Sequence, residues 1–341
     1  MTIMRTANPT LAGEVRARLD GLAKPPGALG RIEALALQLA LIRGSASVTA
    51  DRALLLVCAG DHGLTRSGVS RYPASVTAAM VATLLAGRAS ANAFARAVGA
   101  DLLVVDAGVA ADLPAHPDLL DAKIAPGTHD AARTPAMTAR QAEQALAAGA
   151  AISRARLAAG YDVLLLGEMG IGNSASAALV MHRLAPAPLV ACIGLGAGHD
   201  VDGLERKTAA LKAAAARTPV TAPEDVLSEF GGFEIAMMAG AVLGAAEARR
   251  PVVVDGFIGS AAALAAVRLE PACADYLIFS HRSAERGHAR MLEALGVEPL
   301  LDLSLRLGEG TGALLALPLL RAAARLLTDV ATLDEVLEGR L

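Results

Sequence analysis

Short apolar runs recur along this chain, and almost every one is closed by glycine together with Asp, Glu, Asn, Ser or His. They are residues 53–58 (ALLLVC, then AGDHG), 102–105 (LLVV, then DAG), 163–166 (VLLL, then GEMGIGNSAS), 189–195 (LVACIGL, then GAGHD), 252–254 (VVV, then DGFIGS) and 276–279 (YLIF, then SHRSAERGH). Runs this short and this apolar predict parallel strands buried on both faces. Between them lie helical stretches, among them 138–159, 204–215, 233–248 and 261–267. Strand and helix in alternation predict an α/β fold, a parallel sheet covered by helices on both sides. A structural repeat needs only a helix cap where each strand ends. The clusters here are richer than that, and they line up along one edge of the sheet, where open α/β sheets bind ligands.

Composition removes several classes of function. With 341 residues the chain can bury a large core, as one large domain with an appendage or as two domains. The net charge of −3, the lack of a basic block, and a total of three Tyr, five Phe and no Trp leave nothing to track or stack on a nucleic acid. Charges and prolines such as Glu234, Glu247, Pro318 and Arg321 interrupt the long apolar stretches, so no membrane span is expected. The first residues lack the apolar stretch of a signal peptide, so a cytoplasmic location is expected. Cys58, Cys192 and Cys273 are far apart and odd in number, and read as buried free thiols.

Two glycine-rich turns run from a strand into a helix, at 167–176 and at 194–207. Freed backbone N–H groups and a helix N-terminus suit a phosphate, and Lys207 would add a full charge. A tight αβ connection with no ligand is the competing reading of each turn taken alone. Neither matches a dinucleotide or nucleoside triphosphate fingerprint. Asp61, His62, Asp106, Glu168, Asp200, Asp255 and His281 stand at strand ends as metal hydrolases place their ligands, yet the histidines lack ligand spacing and no metal is expected. His281 and His288, which bracket RSAERG, read as structural or supporting groups. In LGEGTGALL (307–315), Glu309 sits between two glycines, after an expected strand at 300–303 and before an expected helix at 314–327. That position fits a turn residue, a helix cap or a catalytic carboxylate.

The motifs KPPGALGRIE (24–33), GDHG (60–63), GVSRYPASVTAAM (68–80), GEMGIGNS (167–174), GGFEIAMMAGA (231–241), DGFIGSAAALAA (255–266), SHRSAERGH (280–288) and LRLGEGTGA (305–313) occur in order. Together they resemble the nicotinate-nucleotide:dimethylbenzimidazole phosphoribosyltransferase family, from about residue 20 to residue 327. The resemblance implies a large Rossmann-like domain (51–303). It also implies a smaller helical domain built from both chain ends, residues 1–50 and 304–341, the latter carrying the active-site turn. Transfer of phosphoribose from nicotinate mononucleotide to 5,6-dimethylbenzimidazole, without a cofactor and in a homodimer, is the implied activity. It assigns Glu309 as base and Glu168 as a second acid at the reacting centre. Gly167, Gly170, Gly172, Asn173, Ser174, Lys207 and Ser260 would hold the phosphoribosyl group, and Tyr72, Met80, Leu307 and Gly308 the aromatic base.

The residues agree with that chemistry independently. A ring leaving as a neutral pyridine needs no general acid, so one base suffices where a glycosidase needs two flanking carboxylates. Pyrophosphate-dependent transferases carry two adjacent acids and a Thr-rich loop after a strand, whereas VVVDGFIGS has one acid and no such loop. Some family members have Ser and Gln where this chain has Tyr72 and Met80, which leaves the identity of the base open. A catalytically silent nucleotide-binding protein and a nicotinamide-dependent dehydrogenase are the competing readings.

Overall fold

The computed structural model describes residues 2–185, 187–194 and 201–340, with the backbone alone at Val201. Its elements in chain order are α1 (Pro9–Asp20), α2 (Arg31–Arg43), β1 (Ala53–Gly60), α3 (Ser75–Leu85), α4 (Ser90–Val98), β2 (Asp101–Gly108), β3 (Leu119–Asp121), α5 (Ala139–Ala158) and β4 (Val163–Met169). There follow α6 (Asn173–Leu184), α7 (Leu189–Cys192), α8 (Val201–Arg217), α9 (Pro223–Phe230), α10 (Phe233–Glu247), β5 (Val252–Val254), α11 (Phe257–Leu269), β6 (Leu277–Phe279), α12 (His288–Leu295), α13 (Thr311–Thr328) and α14 (Leu333–Leu337).

The strands form one parallel six-stranded sheet in the order β3-β2-β1-β4-β5-β6. From β1 the chain builds outward to one edge, then returns to β4 and builds to the other. The central pair is in continuous register, Leu54 opposite Leu164 through Ala59 opposite Met169. At such a reversal the helices leave in opposite directions and a crevice opens at the carboxyl ends of the strands.

Alternation along each strand divides the core in two. Leu54, Leu56 and Cys58 join the apolar cluster that includes α6, α10 and α11. Leu55, Val57, Val163, Leu165 and Val253 face the other way, onto α1, α2, α4 and α13. On the first face α5 and α10 cross closely, because a side-chain carbon on Gly149 or Gly240 would run into the backbone of the opposite helix at Met237 or Leu146. Among the described residues α13 is long and apolar enough to cross a membrane by length and composition, despite Pro318 and Arg321, and 61% of it is buried inside the protein. All three cysteines are free and buried, and burial pushes the Cys192 thiol up to about 11.

Two expectations are corrected. The run at 189–195 contributes no strand: 189–192 is the short helix α7, begun after Pro188, and 195 lies outside the described residues. Its place in the sheet is taken, since β4 pairs directly with β5 through Leu164–Val252 and Leu165–Val253. The strand expected at 300–303 is reduced to one bridge between Leu301 and His281, preceded by Pro299 and followed by Ser304 at φ 56°. Residues 110–135, for which no element is expected from the sequence, contain β3, whose three residues are too few to show a period.

Candidate active site

A cavity of about 450 Å³ opens at the carboxyl ends of β4, β5 and β6, beside the topological reversal between β1 and β4. Its floor carries Glu168 from the end of β4, Asp255 and His281 following β5 and β6, and Glu309 from the turn before α13. Val69, Val76, Met80, Met169, Ile171 and Leu307 supply apolar wall, and Tyr72, 47% exposed, stands on its rim.

The Glu309 turn is left-handed over three consecutive residues, with φ 91° at Gly308, 60° at Glu309 and 81° at Gly310. For a residue with a side chain that conformation costs about 1–2 kcal/mol. A side-chain carbon on Gly308 would collide with the Glu168 carboxyl, and one on Gly167 would lie 2.8 Å from the Glu309 carbonyl oxygen. Glycine at these positions lets the turn lie directly against β4. The Glu309 side chain is 2% exposed, and its Oε2 accepts a hydrogen bond from the Ala91 amide at 3.2 Å, in the first turn of α4. Burial raises the Glu309 carboxyl above the ordinary range and Asp255 adds to that, while the Ala91 N–H draws it back.

Glu168 is buried as well. Burial, then repulsion from Asp255, pushes it up to about 8, against the hydrogen bond that Asn173 donates to its Oε2. At neutral pH Glu168 therefore holds its proton and can donate a hydrogen bond of its own. For Asp255 too, burial raises the carboxyl, opposed by His281 at 3.6 Å and by amides of α13.

Gly170, Gly172, Asn173 and Ser174 line the cavity as the turn into α6, with Gly172 as the helix cap at φ 93°. Lys207 does not line it. Its ammonium is fully buried behind that turn, 3.0 Å from Ser174 Oγ and 3.1 Å from the Gly194 carbonyl, and burial depresses it to about 8. The rest of the second glycine-rich turn, with Asp200, lies outside the described residues. Gly167 is packed beneath the Glu309 turn. Ser260 also lies outside the cavity, its hydroxyl 2.9 Å from His288 Nε2. His288 Nδ1 accepts from the Ser283 amide at 2.8 Å, and burial depresses the ring to about 3, so Nε2 carries the hydrogen and donates to Ser260.

The other acids read as metal ligands have structural work. Asp61 accepts from the Ala110 amide, Asp106 accepts from the Val109 amide and pairs with Lys123 at 3.3 Å, and His62 pairs with Glu234 at 2.6 Å. Among the described residues no three His, Cys, Asp or Glu gather as a metal site. Sequence reasoning did not single out Ser283, Glu285 and Arg306, which line the cavity. Arg306, exposed and one residue before Leu307, had adjacency to the turn as its only signal.

A model of a family described as phosphoribosyltransferase matches residues 4–336. The chain belongs to this phosphoribosyltransferase family. Over 323 residues, 94% of this chain and 93% of the relative, it is 52% identical to the nicotinate-nucleotide--dimethylbenzimidazole phosphoribosyltransferase of Cupriavidus necator. A phosphoribosyltransferase of the same name from Ralstonia nicotianae is 50% identical over 334 residues, 97% of this chain and 94% of the relative. The crystal structure of CobT from Thermus thermophilus superposes with a TM-score of 0.93 at 46% identity, covering 96% of this chain and 98% of that one. The Rossmann-like sheet flanked by helices is thus shared with a solved member of the phosphoribosyltransferase family.

Proposed function

We propose that this phosphoribosyltransferase moves phosphoribose from nicotinate mononucleotide to 5,6-dimethylbenzimidazole, giving α-ribazole 5'-phosphate and nicotinate for the lower ligand of cobalamin. The observation that carries the reading is one buried carboxylate, Glu309, held by its turn and by the Ala91 amide on the floor of a cavity with apolar walls. A ring nitrogen of the base attacks C1' of the ribose as the bond to the pyridinium breaks. The bonding pair leaves with the pyridine, which departs with its nitrogen neutral. The attacking ring becomes cationic and loses the proton of its other nitrogen to Glu309. Glu168, neutral at pH 7, serves as a hydrogen-bond donor to the ribose. The turn at 170–174 and the N-terminus of α6 cradle the phosphate, with Lys207 behind them.

Met80, Met169, Val76 and Leu307 hold a flat ring by shape, and Met reads shape loosely. The test is nicotinate release from nicotinate mononucleotide, without base and with dimethylbenzimidazole, benzimidazole or adenine in competition. Release should require a base. Benzimidazole should be used within about 10- to 200-fold of its dimethyl form, the range set by a missing hydrophobic contact. Equal release without any base would make the protein a hydrolase, no release a binding protein, and discrimination beyond about a thousandfold would refute the permissive pocket.

We infer that the working form is a homodimer in the cytoplasm. Exposed apolar side chains at the cavity mouth, Tyr72 and Leu307 at 47% and 57%, support the dimer. Sedimentation should give twice the chain mass, and a monomer at micromolar concentration would exclude it. The two chain ends are joined directly, Leu22 bridging Thr332 and the Leu333 amide donating to the Gly21 carbonyl, which supports grouping residues 1–50 and 304–341 as the smaller unit.

A further inference from the structure

Asp255 stands at the end of β5, 3% exposed, and both of its carboxyl oxygens point at the start of α13. Oδ2 accepts from the Gly310 amide at 3.2 Å and Oδ1 from the Ala313 amide at 3.1 Å. Gly310 is the cap of α13, and the first amides of a helix have no partner within it. No side chain of the turn itself caps this helix. The acceptors come instead from a strand more than fifty residues earlier, and the residue they lock in place is Glu309, between Gly308 and Gly310. A left-handed Glu has no preference for that conformation, so something outside the turn must hold it there.

We propose that Asp255 is a positioning residue for Glu309, clamping the Gly310 and Ala313 amides so that the Glu309 carboxylate is aimed into the cavity. The proposal rests on the reading of Glu309 as the base. An Asn at 255 keeps one acceptor and turns an amide nitrogen toward one of the two donors, so one half of the clamp opens. It also removes a charge that repels Glu309. The other titratable groups facing this point are Glu168 at the end of β4 and His281 after β6, with Arg306 on the loop leading into the turn. α4 presents the Ala91 amide.

The test compares Asp255→Asn, Glu309→Gln and the double variant, after melting curves confirm that each is folded. Asp255→Asn should lose about tenfold to a hundredfold in kcat, the scale of a misplaced catalytic group. Its KM for nicotinate mononucleotide should stay within about threefold, and the acid limb of its kcat profile should move to lower pH. In the Glu309→Gln background the substitution should cost nothing further, because both act through one group. Parent kcat and an unmoved acid limb in Asp255→Asn, or losses that simply multiply in the double variant, would overturn the inference. A fully active Glu309→Gln would instead remove the base on which it rests. Should Asp255→Asn fail to fold, Asp255→Glu decides: it keeps the charge and displaces both oxygens, so kcat must fall with the acid limb in place, and an unchanged kcat overturns the clamp.

Discussion

Glu309→Gln is expected to bind nicotinate mononucleotide as the parent does and to lose about 10²- to 10⁴-fold in kcat, the usual worth of a general base. The amide has the size of the carboxyl and can still accept from the Ala91 N–H, so the left-handed turn, the α4 contact and the cavity wall remain. What it cannot do is take a proton from the incoming ring. Because burial raises the Glu309 carboxyl, parent activity should decline as pH falls through that raised value, when the base becomes protonated and idle. In the Gln variant this limb should vanish along with turnover. Steady-state rates across pH, beside calorimetric binding of the nucleotide, make the check. Turnover within about threefold of the parent would take the role away from Glu309.

The second large effect is expected at Lys207. Its ammonium is buried behind Ser174, so the part proposed for it in phosphate capture is to put positive charge beneath the turn at 170–174. Lys207→Ala should weaken nicotinate mononucleotide by roughly 10- to 150-fold, the worth of a hydrogen bond to a charged group, and leave dimethylbenzimidazole within about twofold. Lys207→Met keeps most of the volume without the charge and should reproduce the loss, which separates electrostatics from packing. Since burial holds the lysine at about 8, nucleotide affinity should also fall as pH rises through that value, when the ammonium loses its proton. Equal weakening of nucleotide and base in both variants would make Lys207 a packing residue.

The sheet was legible because a buried parallel strand is written as an uninterrupted apolar run, and 53–58 and 163–166 became its central pair. The same code failed at 189–195, where six apolar residues and a glycine suit a helix or a strand and only the direct β4–β5 pairing decides. Glu309 and Glu168 were paired through the motifs that carry the family resemblance, and in the structure Gly308 does meet the Glu168 carboxyl. The clamp from Asp255 was not. Its two hydrogen bonds join residues 55 and 58 positions apart, and a sequence records the acceptor without saying which amides it serves. Ser260 and Lys207 read as ligand-binding residues from their motifs, yet the distance from motif to cavity is a matter of side-chain direction. Ser260 spends its hydroxyl on His288, and Lys207 reaches the turn from behind.

The left-handed backbone at Glu309 also sets two kinds of selection against each other. Stability alone would favour Gly there, relieving about 1–2 kcal/mol, with Asn a tolerable second. With Glu309 as the proposed base, only turnover rewards a carboxylate that the backbone resists. A lineage of this fold released from catalysis should therefore drift at this position early, and toward residues the backbone prefers, as active sites that carry strain do when function no longer holds them. Among relatives of this chain, the residue between those two glycines is thus a mark that separates working transferases from proteins that kept the fold and only bind.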